Sequence, residues 1–97
     1  MPVDTVGLDD TFELHPSVSL RPERFGALAY HFGNRRLSFL KHPDLVATVE
    51  SFDGVRTVRD ALMAAHVDES RWGSFVTALR TLAASDMIRP VEVSRVA

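Results

Sequence analysis

Four histidines are the side chains of this 97-residue sequence that best suit acid–base or metal chemistry: His15, His31, His42 and His66. None has a second ligand residue at the short spacing of known metal motifs, and the chain contains no cysteine to act as nucleophile or thiolate ligand. Glu13 and His15 share one strand face, which we interpret as surface polarity. A phosphate-cradling glycine loop and a Gly-x-Ser-x-Gly elbow are both absent. The sequence therefore predicts a binding protein without catalytic residue, metal or cofactor, and not an enzyme.

Length and composition narrow the class of protein. Ninety-seven residues, 45% of them hydrophobic and 25% charged, suit one globular domain. The net charge of −2 disfavours a nucleic-acid partner, because nucleic-acid binders are usually basic. The apolar runs are far shorter than the roughly 20 residues that cross a bilayer. The first ten residues lack the basic and apolar segments of a signal peptide. We expect a protein of the cytoplasm, with which a chain lacking cysteine is compatible.

The stretch Ala27–Lys41 predicts a β-hairpin around which the other elements are arranged. Gly33 and Asn34 suit the central positions of a type II′ turn, whose twist matches that of the flanking strands. This turn pairs Tyr30 with Leu37 and sets the register of the hairpin. Side chains alternate between faces along a strand, so one face is almost wholly apolar and we expect it to be the core face. Its members are Leu28, Tyr30, Phe32, Leu37 and Phe39. The opposite face is mixed and holds Ala27, Ala29, His31, Arg36, Ser38 and Leu40.

The remaining elements follow from local signals. Val18–Arg21, between Pro16 and Pro22, predicts a first strand at the sheet edge, so the three strands form an antiparallel meander. The first helix is expected to begin at Pro43 and to end at Asp53–Gly54, with Gly54 as a left-handed cap. Thr57 suits the N-cap of a second helix, and Asp68 or Ser70 begins a third that runs to about Ser85. The order β-β-β-α-α-α predicts an α+β domain of winged-helix type.

The chain ends are expected to lie outside this domain. Residues 1–13 carry four acidic and no basic residues, and predict a loosely attached acidic arm. We place the domain at residues 14–91 and a short tail at residues 92–97.

The last strand, Arg36–Lys41, contains no proline or glycine and forms the other sheet edge. Arg35, Arg36 and Lys41 could protect this edge from aggregation, or the edge could accept an extended acidic peptide as a fourth strand. The third helix favours the second interpretation. A row of small residues on it, headed by Arg71, leaves room for a strand, and Leu40 is a candidate pocket wall. The predicted peptide-binding residues are Arg35, Arg36, Leu37, Ser38, Phe39, Leu40, Lys41, Arg71, Ser74, Phe75, Ala78 and Thr81.

The segment Leu20–Lys41, read LRPERFGALAYHFGNRRLSFLK, and the three helices that end in LRTLAASDMI resemble the precursor-peptide chaperones of mycofactocin systems. These chaperones belong to the PqqD-like family of recognition elements for ribosomally made, modified peptides. The resemblance extends over residues 12–90. It implies a winged-helix-like domain that holds the leader of a precursor peptide as a strand beside the third strand and against the third helix. It further implies delivery to a radical S-adenosylmethionine (SAM) enzyme, whose iron–sulfur clusters this cysteine-free chain cannot hold.

Other functions remain open at this point. The element order also permits a winged-helix DNA-binding regulator, although the third helix offers only Arg71 and Arg80 as phosphate contacts. A structural adaptor could dock an enzyme through Trp72, Ile88 and Val91. An unprotected sheet edge also permits pairing with a second copy as a homodimer.

Overall fold

The computed structural model describes residues 6–91, which form an α+β domain of two three-stranded antiparallel sheets and three helices. The elements in chain order are β1 (Thr11–Leu14), β2 (Val18–Glu23), β3 (Gly26–His31), β4 (Leu37–Leu40), α1 (Pro43–Glu50), β5 (Asp53–Thr57), α2 (Val58–Ala64), a 3₁₀ turn (Glu69–Arg71), α3 (Trp72–Ala84) and β6 (Ile88–Pro90). The α+β class expected from the sequence is confirmed.

The meander β2-β3-β4 has the predicted strand order and register. Tyr30 pairs with Leu37 and Leu28 with Phe39. The predicted type II′ turn is wrong, because the strands are joined by a four-residue loop in which Arg35, and not Gly33, adopts the left-handed conformation, with φ of 62°. The buried His31 ring explains the longer loop: its Nδ1 accepts hydrogen bonds from the amides of Gly33 and Asn34 at 2.9 and 3.1 Å.

The core face of this sheet is the opposite of the one predicted. Ala27, Ala29 and Leu40 are each 1% exposed, whereas Phe32 and Leu37 on the apolar-rich face are more than 60% exposed. The physical reason is the close approach of α1 to β3, which small alanine side chains permit. The mixed face therefore packs on the core.

A second sheet, with strand order β5-β1-β6, is absent from the sequence prediction. Three of the four residues of its central strand β1 lie within the segment expected to be a loose acidic arm. That expectation is wrong for residues 6–13, because Val6 and Phe12 are 2% and 1% exposed and belong to the core. Residues 1–5 and the predicted tail at 92–97 lie outside the described residues. The domain boundaries themselves stay a prediction.

The helix starts follow the sequence signals, and one helix end does not. Pro43 is the first residue of α1, and the Thr57 hydroxyl caps α2 by accepting the Asp60 amide at 3.2 Å. Helix α1 ends at Glu50, so Gly54 lies within β5 and is not a helix cap. Asp68 caps the 3₁₀ turn that leads into α3. Helix α3 buries one side in the core, through Phe75, Leu79, Leu82 and Ala83.

Candidate functional site

Strand β4 is the edge of its sheet, with β3 on one side and no strand among residues 6–91 on the other. The His31 amide donates to the Arg36 carbonyl at 3.0 Å, which makes these residues a hydrogen-bonded pair. Hydrogen-bonded pairs alternate along an antiparallel ladder, so the main-chain groups of Ser38 and Leu40 face β3. Those of Leu37 and Phe39 therefore point away from the sheet. This edge can accept a further strand at two defined residues.

Helix α3 is tied at its two ends to parts of the chain near the start and the end of β4. At its carboxyl end, the Ser85 hydroxyl lies 3.4 Å from the Ser38 hydroxyl, and the Ser85 carbonyl accepts the Asn34 side-chain amide at 3.2 Å. At the amino end of α3, the Arg71 guanidinium donates to the Asp44 carboxylate of α1 at 3.0 Å. The two ends of α3 are thus tied to the β3-β4 loop and to α1, the segments that precede and follow β4.

A cleft of about 390 Å³ opens where β4 gives way to α1, beside the amino-terminal half of α3. Apolar surface predominates in this cleft, with polar groups at its margin, as is usual for ligand sites. Its lining residues are His42, Leu45, Arg71, Ser74, Phe75 and Ala78. A peptide in extended form advances about 3.3 Å per residue. A strand paired to Leu37 and Phe39 would therefore reach the cleft within a few residues.

Three cations flank the edge strand, because Arg35 and Arg36 precede β4 and Lys41 follows it. The whole chain nevertheless has a net charge of −2. Arg71 is held in place from two sides, by Asp44 and by the Phe75 ring, whose centroid lies 5.0 Å from the guanidinium carbon. An acidic ligand would meet a favourable field along β4 and a fixed guanidinium at the cleft.

The structure brings together part of the predicted site. Arg71, Ser74, Phe75 and Ala78 line the cleft as one group on α3. Thr81 is exposed one turn further along α3, outside the cleft. On the strand side, Leu37 and Phe39 supply outward main-chain groups, and the predicted cations Arg35, Arg36 and Lys41 are exposed around them.

One predicted contact is wrong and two lining residues were missed. Leu40 cannot form a pocket wall because it is 1% exposed and faces the core. The missed residues are His42 and Leu45, which lie at the N-cap and in the first turn of α1. Their position directly after the edge strand is the signal that could have found them.

Two of the four histidines come together in the structure. Within residues 6–91, no group of three or more histidine, aspartate and glutamate side chains lies close enough to hold a metal ion. His15 and His31 do meet, with ring centroids 4.3 Å apart. Burial and the neighbouring His31 lower the pKa of His15 below its ordinary value of 6.5. This pair sits at the base of the β3-β4 loop and orders backbone amides through the Nδ1 atoms.

The fold and the site together define a small α+β binding domain, with an open sheet edge beside a helix-lined cleft. A family model described as the peptide chaperone MftB family matches residues 11–89. The chain belongs to this family.

Curated relatives carry the same name. The peptide chaperone MftB of Mycobacterium ulcerans (strain Agy99) is 46% identical over 87 residues, which cover 90% of this chain and 80% of the relative. That of Mycobacterium tuberculosis (strain H37Rv) is 44% identical over 82 residues, covering 84% of this chain and 75% of the relative. Chaperoning a peptide is a non-catalytic role.

No solved structure matches the chain significantly. None of the helices in residues 6–91 is long and apolar enough to cross a membrane.

Proposed function

We propose that this domain captures the leader of a ribosomally made precursor peptide by β-strand addition along β4. It presents the peptide to a radical SAM maturase in mycofactocin biosynthesis, in the cytoplasm where such a precursor is made. Support for the peptide as ligand comes from the family match and from the names of the relatives. Support for the mode of binding comes from the geometry of the edge.

The outward main-chain groups of Leu37 and Phe39, beside the α3 cleft, are the observation on which this proposal depends. Strand addition gains affinity from main-chain hydrogen bonds and specificity from pockets for alternate side chains. An added strand would place one row of side chains toward α3 and the other row on the outer sheet face, because its residues alternate between faces. An apolar residue in the inner row can enter the cleft between Leu45, Phe75 and Ala78.

The cations beside β4 would favour an acidic leader. Arg35, Arg36 and Lys41 are exposed, so they would speed association more than they would tighten the final complex. Arg71 differs from them, because Asp44 and the Phe75 ring already orient it at the cleft. It would fix an acidic side chain at a defined position along the strand.

The proposal is tested by titrating the isotope-labelled domain with the leader peptide and following the backbone amides by NMR. We expect a dissociation constant in the micromolar range or below, with the largest shifts at Leu37, Phe39 and the cleft residues of α3. A scrambled peptide of the same composition is the control for charge alone. Shifts confined to the sheet β5-β1-β6, or equal binding of the scrambled peptide, would contradict strand addition. Tighter binding to duplex DNA with a steep salt dependence would favour the regulator alternative.

A further inference from the structure

The outer face of the sheet β2-β3-β4 exposes an apolar surface that the peptide site does not use fully. Phe32, Leu37 and Phe39 are 64%, 61% and 47% exposed. A depression of about 350 Å³ lies between the strands on this face, lined by Ser19, Arg21, Leu28, Tyr30, Phe32 and Leu37. Contiguous apolar surface of this kind usually marks an interaction site.

One added strand cannot cover this face. The depression extends from β2, through Ser19 and Arg21, to Leu37 on β4, and so crosses all three strands. A peptide at the β4 edge would lie beside Leu37 and Phe39 only. The side chains of the bound peptide that point to the outer face would extend the apolar surface of the sheet, because the peptide would be a fourth strand. The occupant of the face must therefore be broad, and would contact the bound peptide at its border.

The charges on and around the face indicate the chemistry of that occupant. Arg21 pairs with Leu28 across the strands and so lies on the same face. Arg21 is the one charged residue among those that line the depression, so a two-fold contact between copies would bring two guanidinium groups and no carboxylate into the depressions. Tyr30 and Phe32 pack edge to face, at 89° and 4.9 Å between centroids, which does not make the flat platform that stacked bases require. An acidic protein surface is the complementary partner.

We propose that this outer face docks a folded partner protein whose surface presents an apolar side chain surrounded by carboxylates. This rests on the proposed function, and it assigns the face to the radical SAM maturase. The apolar side chain would enter the depression between Leu28 and Phe32, and the carboxylates would meet Arg21. The edge and the outer face would then hold peptide and enzyme at the same time, with Leu37 and Phe39 at their border.

Two pairs of matched variants test this assignment. Phe32→Asp changes an exposed side chain at the end of β3, away from the β4 edge, and Val55→Asp makes the same change at a 72% exposed site on the other sheet. Arg21→Glu is matched by Arg56→Glu, also exposed and on that other sheet. We expect Phe32→Asp and Arg21→Glu to weaken maturase binding about tenfold or more, as substitutions at the centre of an interface do. Leader affinity and melting temperature should match those of the controls.

Each outcome separates the docking surface from the proposed function. If the unaltered domain binds leader but not maturase, the partnership fails and this assignment fails with it. If the maturase binds and Phe32→Asp leaves its affinity unchanged, only the docking surface is overturned, and the peptide function stands. Sedimentation that shows a dimer lost in Phe32→Asp would assign the face to a second copy instead. Single-stranded oligonucleotide binding that depends on Phe32 would likewise overturn the proposal.

Discussion

The substitution Phe39→Pro isolates the main-chain donor that the strand-addition mechanism requires. The Phe39 amide points away from β3, so proline removes no hydrogen bond of the sheet itself. Proline is tolerated on an edge strand when its missing N–H faces outward. The fold should therefore survive a change that removes one hydrogen bond to the incoming peptide and leaves the peptide carbonyl without a donor.

The expected loss follows from these two effects. A typical hydrogen bond contributes about 0.5–1.5 kcal/mol net, and an unsatisfied buried acceptor costs about 1–3 kcal/mol. The second figure applies here and already includes the lost bond, because only one partner of the pair is removed. Since each 1.4 kcal/mol is about tenfold in affinity, a loss of about 1–3 kcal/mol weakens leader binding about 5- to 150-fold. Fluorescence anisotropy with a labelled leader measures this loss directly.

Two further variants separate the loss of the Phe39 amide from the loss of its ring and from damage to the sheet. Phe39→Ala retains the amide and removes the aromatic ring, so it reports the contribution of the side chain alone. Ser38→Pro removes an amide that faces Ala29 inside the ladder, and should lower the melting temperature by about 4–8 °C for each kcal/mol lost. Unchanged leader binding by a folded Phe39→Pro domain would refute strand addition. Equal losses in Phe39→Ala and Phe39→Pro would assign the effect to the ring. Proline at the neighbouring Leu40 would not serve this purpose, because Leu40 is buried and its main-chain groups face β3.

Three further predictions follow from the charges, the cleft and the histidine pair. The double variant Arg35→Glu, Arg36→Glu should associate more slowly with an acidic leader, and the difference should be largest at low ionic strength, where screening is weakest. Association rates measured by stopped flow that are unchanged at low ionic strength would exclude electrostatic steering by these two arginines. Ala78→Trp should fill the cleft and weaken leader binding about tenfold or more, and because Ala78 is only partly buried the melting temperature, measured alongside, should show that the domain still folds. The pKa of His15 is lowered in the folded state by burial and by His31, so the unfolded chain takes up the proton first on acidification. The free energy of unfolding should therefore fall as the pH drops below 6.5, and it should fall less in the His15→Asn variant. Urea titrations at several pH values below 6.5 measure this. The same pH dependence in both proteins would contradict the prediction.

The local signals in the sequence predicted the register of the hairpin and most helix starts. Tyr30 pairs with Leu37 as expected, because a register slip would move every side chain to the other face. Pro43 and Thr57 begin their helices through properties that each residue carries by itself, a preset backbone angle and a capping hydroxyl. The group of α3 residues that lines the cleft was also predicted, because helical spacing places Arg71, Ser74 and Ala78 on one side.

The second sheet could not be predicted from local patterns. Its strands β1, β5 and β6 have only four, five and three residues. They pair across long stretches of chain, as when Phe12 meets Pro90. Strands this short carry too few residues for alternation to be recognised, and their stability comes from the partner strands and the core.

Sequence alone determined that this protein is a small α+β domain with a basic hairpin, because composition, turn residues and helix caps act within a few residues. Tertiary structure alone decided which face of the hairpin is buried. Both faces carry enough apolar side chains to form a core, but only the alanine-rich face lets α1 approach β3 closely. The larger apolar residues therefore lie on the open face, beside the outward amides of β4.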